Sequence, residues 1–312
     1  MSVSVKNITK FYGSQKALDN VSFEINPGEI VGFLGPNGAG KSTMMKIISC
    51  YLPQSSGKVS VCGFDVEEES LEVRRNIGYL PENNPLYADM YVKEYLEFIA
   101  GIHKLNNKKE KANEVIEMVG LTPERNKKIG ALSKGYRQRV GLAHSIIHNP
   151  RVLILDEPTS GLDPNQIIEI RQLIKTLGRE RGEIAGEGKT VLMSTHIMQE
   201  AEAICDRIII INKGKIVADG KASEIGNFKE KNQKIIVEFN DSIPLISEAL
   251  LKINGVLFVS KQKETLFKIE ADSLKDIRPE IFRFAVENKL SVLTMQKEEQ
   301  RLEDIFKELT TE

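Results

Sequence analysis

No stretch of this chain approaches the roughly 18 consecutive apolar residues that would cross a bilayer as a helix. The opening residues, MSVSVKNITKFYGS, lack the apolar core of a secretory signal. The chain is therefore expected in the cytoplasm, and any place at a membrane must come through another polypeptide. An excess of positive charge is also missing. The 43 basic and 44 acidic side chains leave a net charge of -1, without the surplus that phosphate-backbone binding calls for, so no nucleic-acid partner is expected. Cysteine is scarce. Cys50, Cys62 and Cys205 are odd in number and stand at no metal-ligand spacing, which points to buried free thiols in a reducing compartment. No low-complexity tract or internal repeat interrupts the chain. At 312 residues, 41% of them hydrophobic, it has the material for two domains with sizeable cores.

What is present begins as strands. Val3 to Ile8 and Val21 to Ile25 alternate in character, and Asn26-Pro27-Gly28-Glu29 reads as a turn. Ile30 to Leu34 is continuously apolar, as in a strand buried on both faces, and a glycine-rich turn leads to a helix near Lys41. Further buried strands read at Val152–Leu155, Thr190–Met193 and Arg207–Ile211, with helical periodicity between them, as from Gln166 to Leu177. This alternation predicts a largely parallel α/β sheet, and the mostly helical stretch 86–150 predicts a helical subdomain inserted into it. Near residue 229 the character changes. Strands at Lys234–Phe239, Val256–Val259, Glu264–Ile269 and Leu290–Leu293 alternate with helices at 244–253 and Leu274–Val286. The order β-α-β-β-α-β is that of a ferredoxin-like module. A last helix is expected to carry Leu302, Ile305, Phe306 and Leu309 on one face. The domains are thus read as 1–228 and 229–312.

Chemistry enters at Gly35-Pro36-Asn37-Gly38-Ala39-Gly40-Lys41-Ser42-Thr43, which fits the phosphate-loop pattern G-x-x-x-x-G-K-S/T between a buried strand and a helix. Glycines let the backbone wrap a phosphate chain, and the loop N–H groups with the helix N-terminus attract the anion. Lys41 brings a mobile positive charge to the β- and γ-phosphates, and the Ser42 hydroxyl suits Mg²⁺. The strand Leu153-Ile154-Leu155 delivers Asp156 and Glu157 to its C-terminal end, where parallel sheets bind ligands. Asp156 suits the Mg²⁺ shell, and Glu157, one residue further, suits a general base for the attacking water. A strand ending in solvated acids would be the plainer reading were there no phosphate loop. Together the two motifs specify a nucleoside triphosphatase.

Three more stretches narrow the reading. Leu132-Ser133-Lys134-Gly135-Tyr136-Arg137-Gln138-Arg139-Val140 resembles the signature of ABC transporter ATPases. Asp156-Glu157-Pro158-Thr159-Ser160-Gly161-Leu162-Asp163 resembles their extended acidic strand and D-loop, and Ser194-Thr195-His196 their switch histidine. The resemblance spans about residues 12–196 in family order. It implies an ABC-type P-loop fold, with a RecA-like mixed sheet and a helical subdomain, that binds and hydrolyses ATP with Mg²⁺. It implies that Tyr12 stacks on adenine, that His196 joins Glu157 and Lys41 in catalysis, and that Ser133, Gly135 and Asp163 act on nucleotide held by a second domain. Ser133 also reads as a plain helix N-cap. His103, His144 and His148 carry no assignment. The position after Ile77-Gly78-Tyr79-Leu80-Pro81, glutamine in many members, is Glu82 here, still a competent Mg²⁺ ligand.

Glu82 and the tail Leu302-Glu303-Asp304-Ile305-Phe306 are similar to those of drug-type (ABC-2) and polymer-type exporters, and the whole chain, by overall pattern and through no local motif, resembles the ATPase subunits of gliding-motility-associated transporters. One phosphate loop and one signature imply pairing with a second copy or a related ATPase subunit. The partner driven would be a transmembrane permease, holding the chain at the inner face of the membrane. Its short helix would meet the surface from Glu82 to about Gly101, with Tyr87, Met90 and Tyr91 exposed there. Ordinary helix packing accounts for that stretch equally well. The rival class, a soluble ABC ATPase acting on nucleic acid or ribosomes, usually carries two ATPase domains or a long coiled coil, and neither is present. A scaffold without turnover would lack the catalytic acid, whereas Glu157 is there.

Overall fold

The structure, a computed structural model, describes residues 1–179, 188–222, 232–242, 245–272, 276–298 and 306. The chain divides into two compact units, one built on Met1–Ile225 and one on Gly226–Ile305. In chain order the first unit holds β1 (Val3–Tyr12), β2 (Gln15–Ile25), β3 (Ile30–Leu34), α1 (Lys41–Ile48), β4 (Ser56–Val61) and β5 (Phe64–Asp65). There follow α2 (Ser70–Asn76), β6 (Ile77–Leu80), α3 (Val92–Ile102), α4 (Lys108–Met118) and α5 (Lys134–Ile146). The unit continues through β7 (Val152–Asp156), α6 (Pro164–Arg179), β8 (Thr190–Thr195), α7 (Met198–Ile204), β9 (Arg207–Asn212) and β10 (Lys215–Lys221).

These strands make two sheets. The larger has the order β10-β9-β3-β8-β7-β6, parallel from β9 to β6, with β10 added antiparallel at one edge. Every residue of β3, β7 and β8 is buried, which is why they read as unbroken apolar runs. The second sheet, β2-β1-β4-β5, is wholly antiparallel. The alternating strands at residues 3–8 and 21–25 therefore lie outside the parallel sheet. Their alternation records one buried and one solvated face. Helix α1 presents Met44, Met45, Ile47 and Ile48 to a core shared with Val5 and Val59 of the antiparallel sheet and Phe33 and Ile154 of the parallel one. The helix that follows the glycine-rich loop is thereby clamped between layers, and its N-terminus cannot drift from the strand ends.

Helices α3, α4 and α5 occupy the stretch read as helical. Val92, Leu96, Ile99 and Ala100 of α3 recur at the spacing of one buried face. The loop after β6 is held to this insertion by close approach. Asn84 donates to the Arg137 carbonyl at 3.3 Å, and a Cβ at Gly141 would come within 1.8 Å of the Asn84 amide.

The second unit contains β11 (Asn232–Phe239), α8 (Ile246–Leu251), β12 (Val256–Lys261), β13 (Leu266–Asp272), α9 (Arg278–Glu287) and β14 (Val292–Glu298). Its sheet order, β12-β13-β11-β14, is antiparallel throughout, the arrangement of a split βαβ module. Phe239, Phe267, Leu250 and Ile281 fill its own core. Leu290, expected to begin the last strand, instead closes α9. Lys289 adopts the left-handed conformation (φ 55°), and the Leu290 N–H donates to the Ala285 carbonyl at 2.8 Å. Of the last expected helix, Leu302, Ile305 and Leu309 lie outside the described residues. Phe306 is helical and groups with the first unit, a departure from a module running unbroken to 312.

Because each unit has its own core, a chain ending at Ile225 is expected to remain soluble and to melt cooperatively by circular dichroism. Insolubility, or a melt without a transition, would show that the first unit depends on the residues removed.

Candidate functional site

The glycine-rich loop leaves β3 at Leu34 and enters α1 at Lys41. Two of its glycines answer close contacts. A Cβ on Gly35 would stand 2.4 Å from the Ile211 carbonyl oxygen, and one on Gly40 (φ 109°) would stand 2.7 Å from that of Ala17. Lys41 is buried at the base of the loop. Its Nζ donates to the carbonyls of Gly35 at 2.7 Å and Pro36 at 3.2 Å, and lies 3.7 Å from Glu157 Oε1. Burial pulls the Lys41 ammonium below the ordinary lysine range, and the charges of Glu157 and Asp156 pull it back up. The result is a positive charge fixed where it has little water, and so exerts a strong field on an anion.

Strand β7 brings the two acids. Leu153, Ile154 and Leu155 are fully buried, each contributing about 1.5–3 kcal/mol of apolar burial that offsets the cost of desolvating the carboxylates at the strand end. Asp156 Oδ1 accepts from Ser42 Oγ at 3.3 Å and from Ser194 Oγ at 2.5 Å. Ser194 Oγ in turn accepts from the Glu157 N–H at 3.0 Å, so one hydroxyl relays between the two acids. Glu157 takes a left-handed backbone (φ 51°), which costs about 1–2 kcal/mol in a non-glycine residue. The Nδ1–H of half-exposed His196 donates to Glu157 Oε2 at 2.9 Å. The Glu157 carboxylate thus stands between a buried cation and an imidazole.

These groups open on a cleft of about 550 Å³. Tyr12, Asn37, Gly38, Gly40, Lys41, Ser42, Thr43, Glu82, Glu157 and His196 line it, and Gly35, Pro36 and Ala39 complete the loop behind. Tyr12 is half exposed at the end of β1. Asp156 faces an adjoining cavity together with Ser42 and Glu82. Ser133, Gly135 and Asp163 do not line the cleft. Exposed Ser133 caps α5, accepting from the Tyr136 N–H at 3.3 Å. Gly135 is buried, and a Cβ there would meet Gln166 at 2.5 Å. Asp163 accepts from the Gln166 N–H at 3.0 Å at the start of α6. Gln15, Ala17 and Ser160 also line the cleft and went unremarked in the sequence. Gln15 and Ala17 follow Tyr12 across a two-residue turn, and only that turn signals them.

The adjoining cavity, about 520 Å³, lies between the loop after β6 and helix α5. The rings of His103 and His148 stack there at 3.9 Å and 5°. His148 Nε2 donates to the Ile77 carbonyl at 2.9 Å, and His144 Nδ1 bonds the Tyr95 hydroxyl at 2.7 Å. Burial, with His103 nearby, holds His144 and His148 down to about 4, and burial alone lowers His103. Of the surface expected to be exposed, Tyr87 and Tyr91 are open to solvent, whereas Met90 is only partly so.

The profile of the ABC transporter family matches residues 18–160. The ABC transporter ATP-binding protein YhcH of Bacillus subtilis is 36% identical, over 99% of this chain and 96% of its own length. The bacitracin transport ATP-binding protein BcrA of Bacillus licheniformis is 34% identical, over 99% and 98%. The linearmycin resistance ATP-binding protein LnrL of Bacillus subtilis is 31% identical, over 99% and 98%. Two solved structures, a dimeric bacterial ABC transporter cassette and a dimeric post-hydrolysis state of such a cassette bound to ADP and Pi, are each 31% identical. Each has a TM-score of 0.64 and covers 70% of this chain and 98% of its own. The likeness to BcrA and LnrL thus runs through the second unit, beyond the span of the cassettes.

The buried histidines tie stability to pH. Unfolded, His144 and His148 take up protons near 6.5; folded, they resist until about 4. The unfolded chain therefore binds more protons in that window, and stability is expected to fall as pH drops through it. Thermal melts at pH 7 and pH 5 test this, with a smaller difference expected in His148→Gln than in the parent. Equal differences would mean that other groups control the acid response.

Proposed function

Because the chain belongs to the ABC transporter family, as an ATP-binding subunit, we propose that it closes head to tail with a second such subunit around two ATP molecules and drives a separate permease. The protein is an ATPase. The observation that carries the proposal is the Glu157 carboxylate held between Lys41 and His196 beside the glycine-rich loop.

In this reading the γ-phosphate lies against the loop N–H groups and Lys41, with adenine stacked on Tyr12. Glu157 accepts a proton from the attacking water, and His196 holds the far oxygen of that carboxylate so that its free lone pair faces the water. Ser42, Asp156 and Glu82 are hard oxygen donors grouped at one wall, a set that fits Mg²⁺. Among the described residues no cluster of three or more acidic, histidine or cysteine side chains is able to hold a metal alone. That agrees with an ion that keeps waters and binds with the substrate's phosphates. Bound there, Mg²⁺ would neutralise phosphate charge.

Ser133, Gly135 and Asp163 do not line their own cleft, which supports their action on nucleotide held by the partner subunit. No helix among the described residues is long and apolar enough to cross a membrane. We therefore assign attachment at the membrane face to the permease, through the exposed tyrosines after Glu82. The names of BcrA and LnrL, which speak of bacitracin transport and linearmycin resistance, support an exporter. A gliding-motility role draws no support from those relatives.

Glu157→Gln keeps the shape of the side chain and removes the proton acceptor. It should bind ATP normally, lose turnover by at least about a hundredfold, and accumulate as an ATP-bound dimer in light scattering. A variant that is saturated with ATP yet monomeric would count against head-to-tail closure. Ser133→Arg should bind ATP as a monomer and fail to dimerise even when combined with Glu157→Gln. Dimerisation of the double variant would remove Ser133 from the interface.

A further inference from the structure

Glu200 is completely buried and does not line the cleft. It sits in the first turn of α7, and its Oε2 accepts two hydroxyls, Thr159 Oγ1 at 2.6 Å and Thr195 Oγ1 at 3.0 Å. Thr159 is two residues after Glu157, and Thr195 immediately precedes His196. One carboxylate oxygen therefore ties together the segments that carry both groups. Thr195 Oγ1 also accepts from the Ile197 N–H at 3.1 Å, which fixes the turn through His196. On the other side, the Arg171 guanidinium of α6 lies 3.7 Å from Glu200 Oε1, beyond hydrogen-bond length, and that oxygen has no hydrogen-bond partner among the described residues.

A purely structural account fits this arrangement poorly. A buried carboxylate loses its hydration, and two neutral hydroxyls and one ion pair at 3.7 Å replace only part of it. Replacing a buried ion pair outright by apolar side chains of similar volume is often neutral for stability, so stability alone does not call for a carboxylate here. What an apolar residue cannot do is hold two hydroxyls at fixed distances from one point.

We propose that Glu200 is a positioning residue for ATP hydrolysis, setting the Glu157–His196 contact from behind and linking it to segment 158–163. That segment runs from Pro158 through Thr159 to Asp163, where α6 and Arg171 begin to follow. A displacement of residues 160–163, such as a partner subunit would cause in the dimer proposed above, moves Thr159. Through the shared oxygen it moves Thr195 and His196 as well. A partner's arrival thereby reaches the Glu157–His196 contact through Glu200. The inference rests on the reading of Glu157 as base.

The test compares Glu200→Ala, Glu200→Gln, Thr195→Val and Glu157→Gln, each assayed for nucleotide affinity and for steady-state kcat and KM on the full chain. A group that positions the base should affect kcat and spare binding. Glu200→Ala is expected to lose about 10- to 100-fold in kcat, the range that a small misplacement of reacting groups produces, with KM within about twofold. Glu200→Gln keeps an oxygen able to accept both hydroxyls and should restore most of that loss, which simple damage to folding would not explain. Thr195→Val replaces a hydroxyl by a methyl of like size and should lower kcat by a smaller factor. It decides the matter should Glu200→Ala fail to fold. Parent-like kcat in Thr195→Val and in folded Glu200→Ala, beside an inactive Glu157→Gln, overturns this inference alone. Turnover by Glu157→Gln overturns the assignment of the base and this inference with it.

Discussion

Two carboxylates on consecutive residues, delivered by a strand with no water on either face, repel each other and lose hydration together. Much of the first unit can be understood as the means of keeping them there. Ser194 on the neighbouring strand supplies the hydroxyl that bonds one acid and accepts the backbone N–H of the other. Lys41, fixed at the head of α1, supplies the compensating charge. The left-handed turn at Glu157 separates the two side chains, so that Asp156 meets Ser42 while Glu157 meets Lys41 and His196. These partners come from α1, β8 and the residue that follows it, and β7 and β8 are buried along their whole length. The proposed chemistry requires a rigid frame of this kind, because a carboxylate serves as base only where its free lone pair stays aimed at the water.

The helical insertion serves a different end. Its α5 begins at Ser133 and Gly135, and Gly135 lets α5 approach Gln166 at the head of α6. At its middle, Gly141 admits Asn84 from the loop that carries Glu82. One helix therefore touches both the loop that edges the cleft and the start of α6. Burial disfavours the charged form of the histidines packed beside that loop.

The sequence carried much of the site. The glycine-rich loop and the acidic strand end are local patterns, each readable because its chemistry requires particular residue types in a row, whereas the histidine after β8 was read through the family resemblance. The ferredoxin-like order of the second unit was legible for the same reason, since its strands and helices alternate cleanly. The antiparallel sheet was not. Strands β4 and β5 are short and polar on one face, and nothing local says that residues 3–12 pair with 56–61 rather than with the parallel sheet. The start of β14 was misplaced because a left-handed lysine closing a helix leaves no mark in hydrophobic periodicity.

By itself the sequence determined which residues carry charge, which loop wraps an anion and which strands are buried, because these follow from side-chain chemistry and short-range periodicity. Only the tertiary structure decided that Glu157 meets both Lys41 and His196 and that the signature residues do not line their own cleft. It alone decided that Glu200 joins Thr159 to Thr195. The contacts of Glu157 with Lys41 and His196, and of Glu200 with Thr159, join residues far apart in the chain, are fixed by how sheets and helices pack, and are encoded by no local pattern.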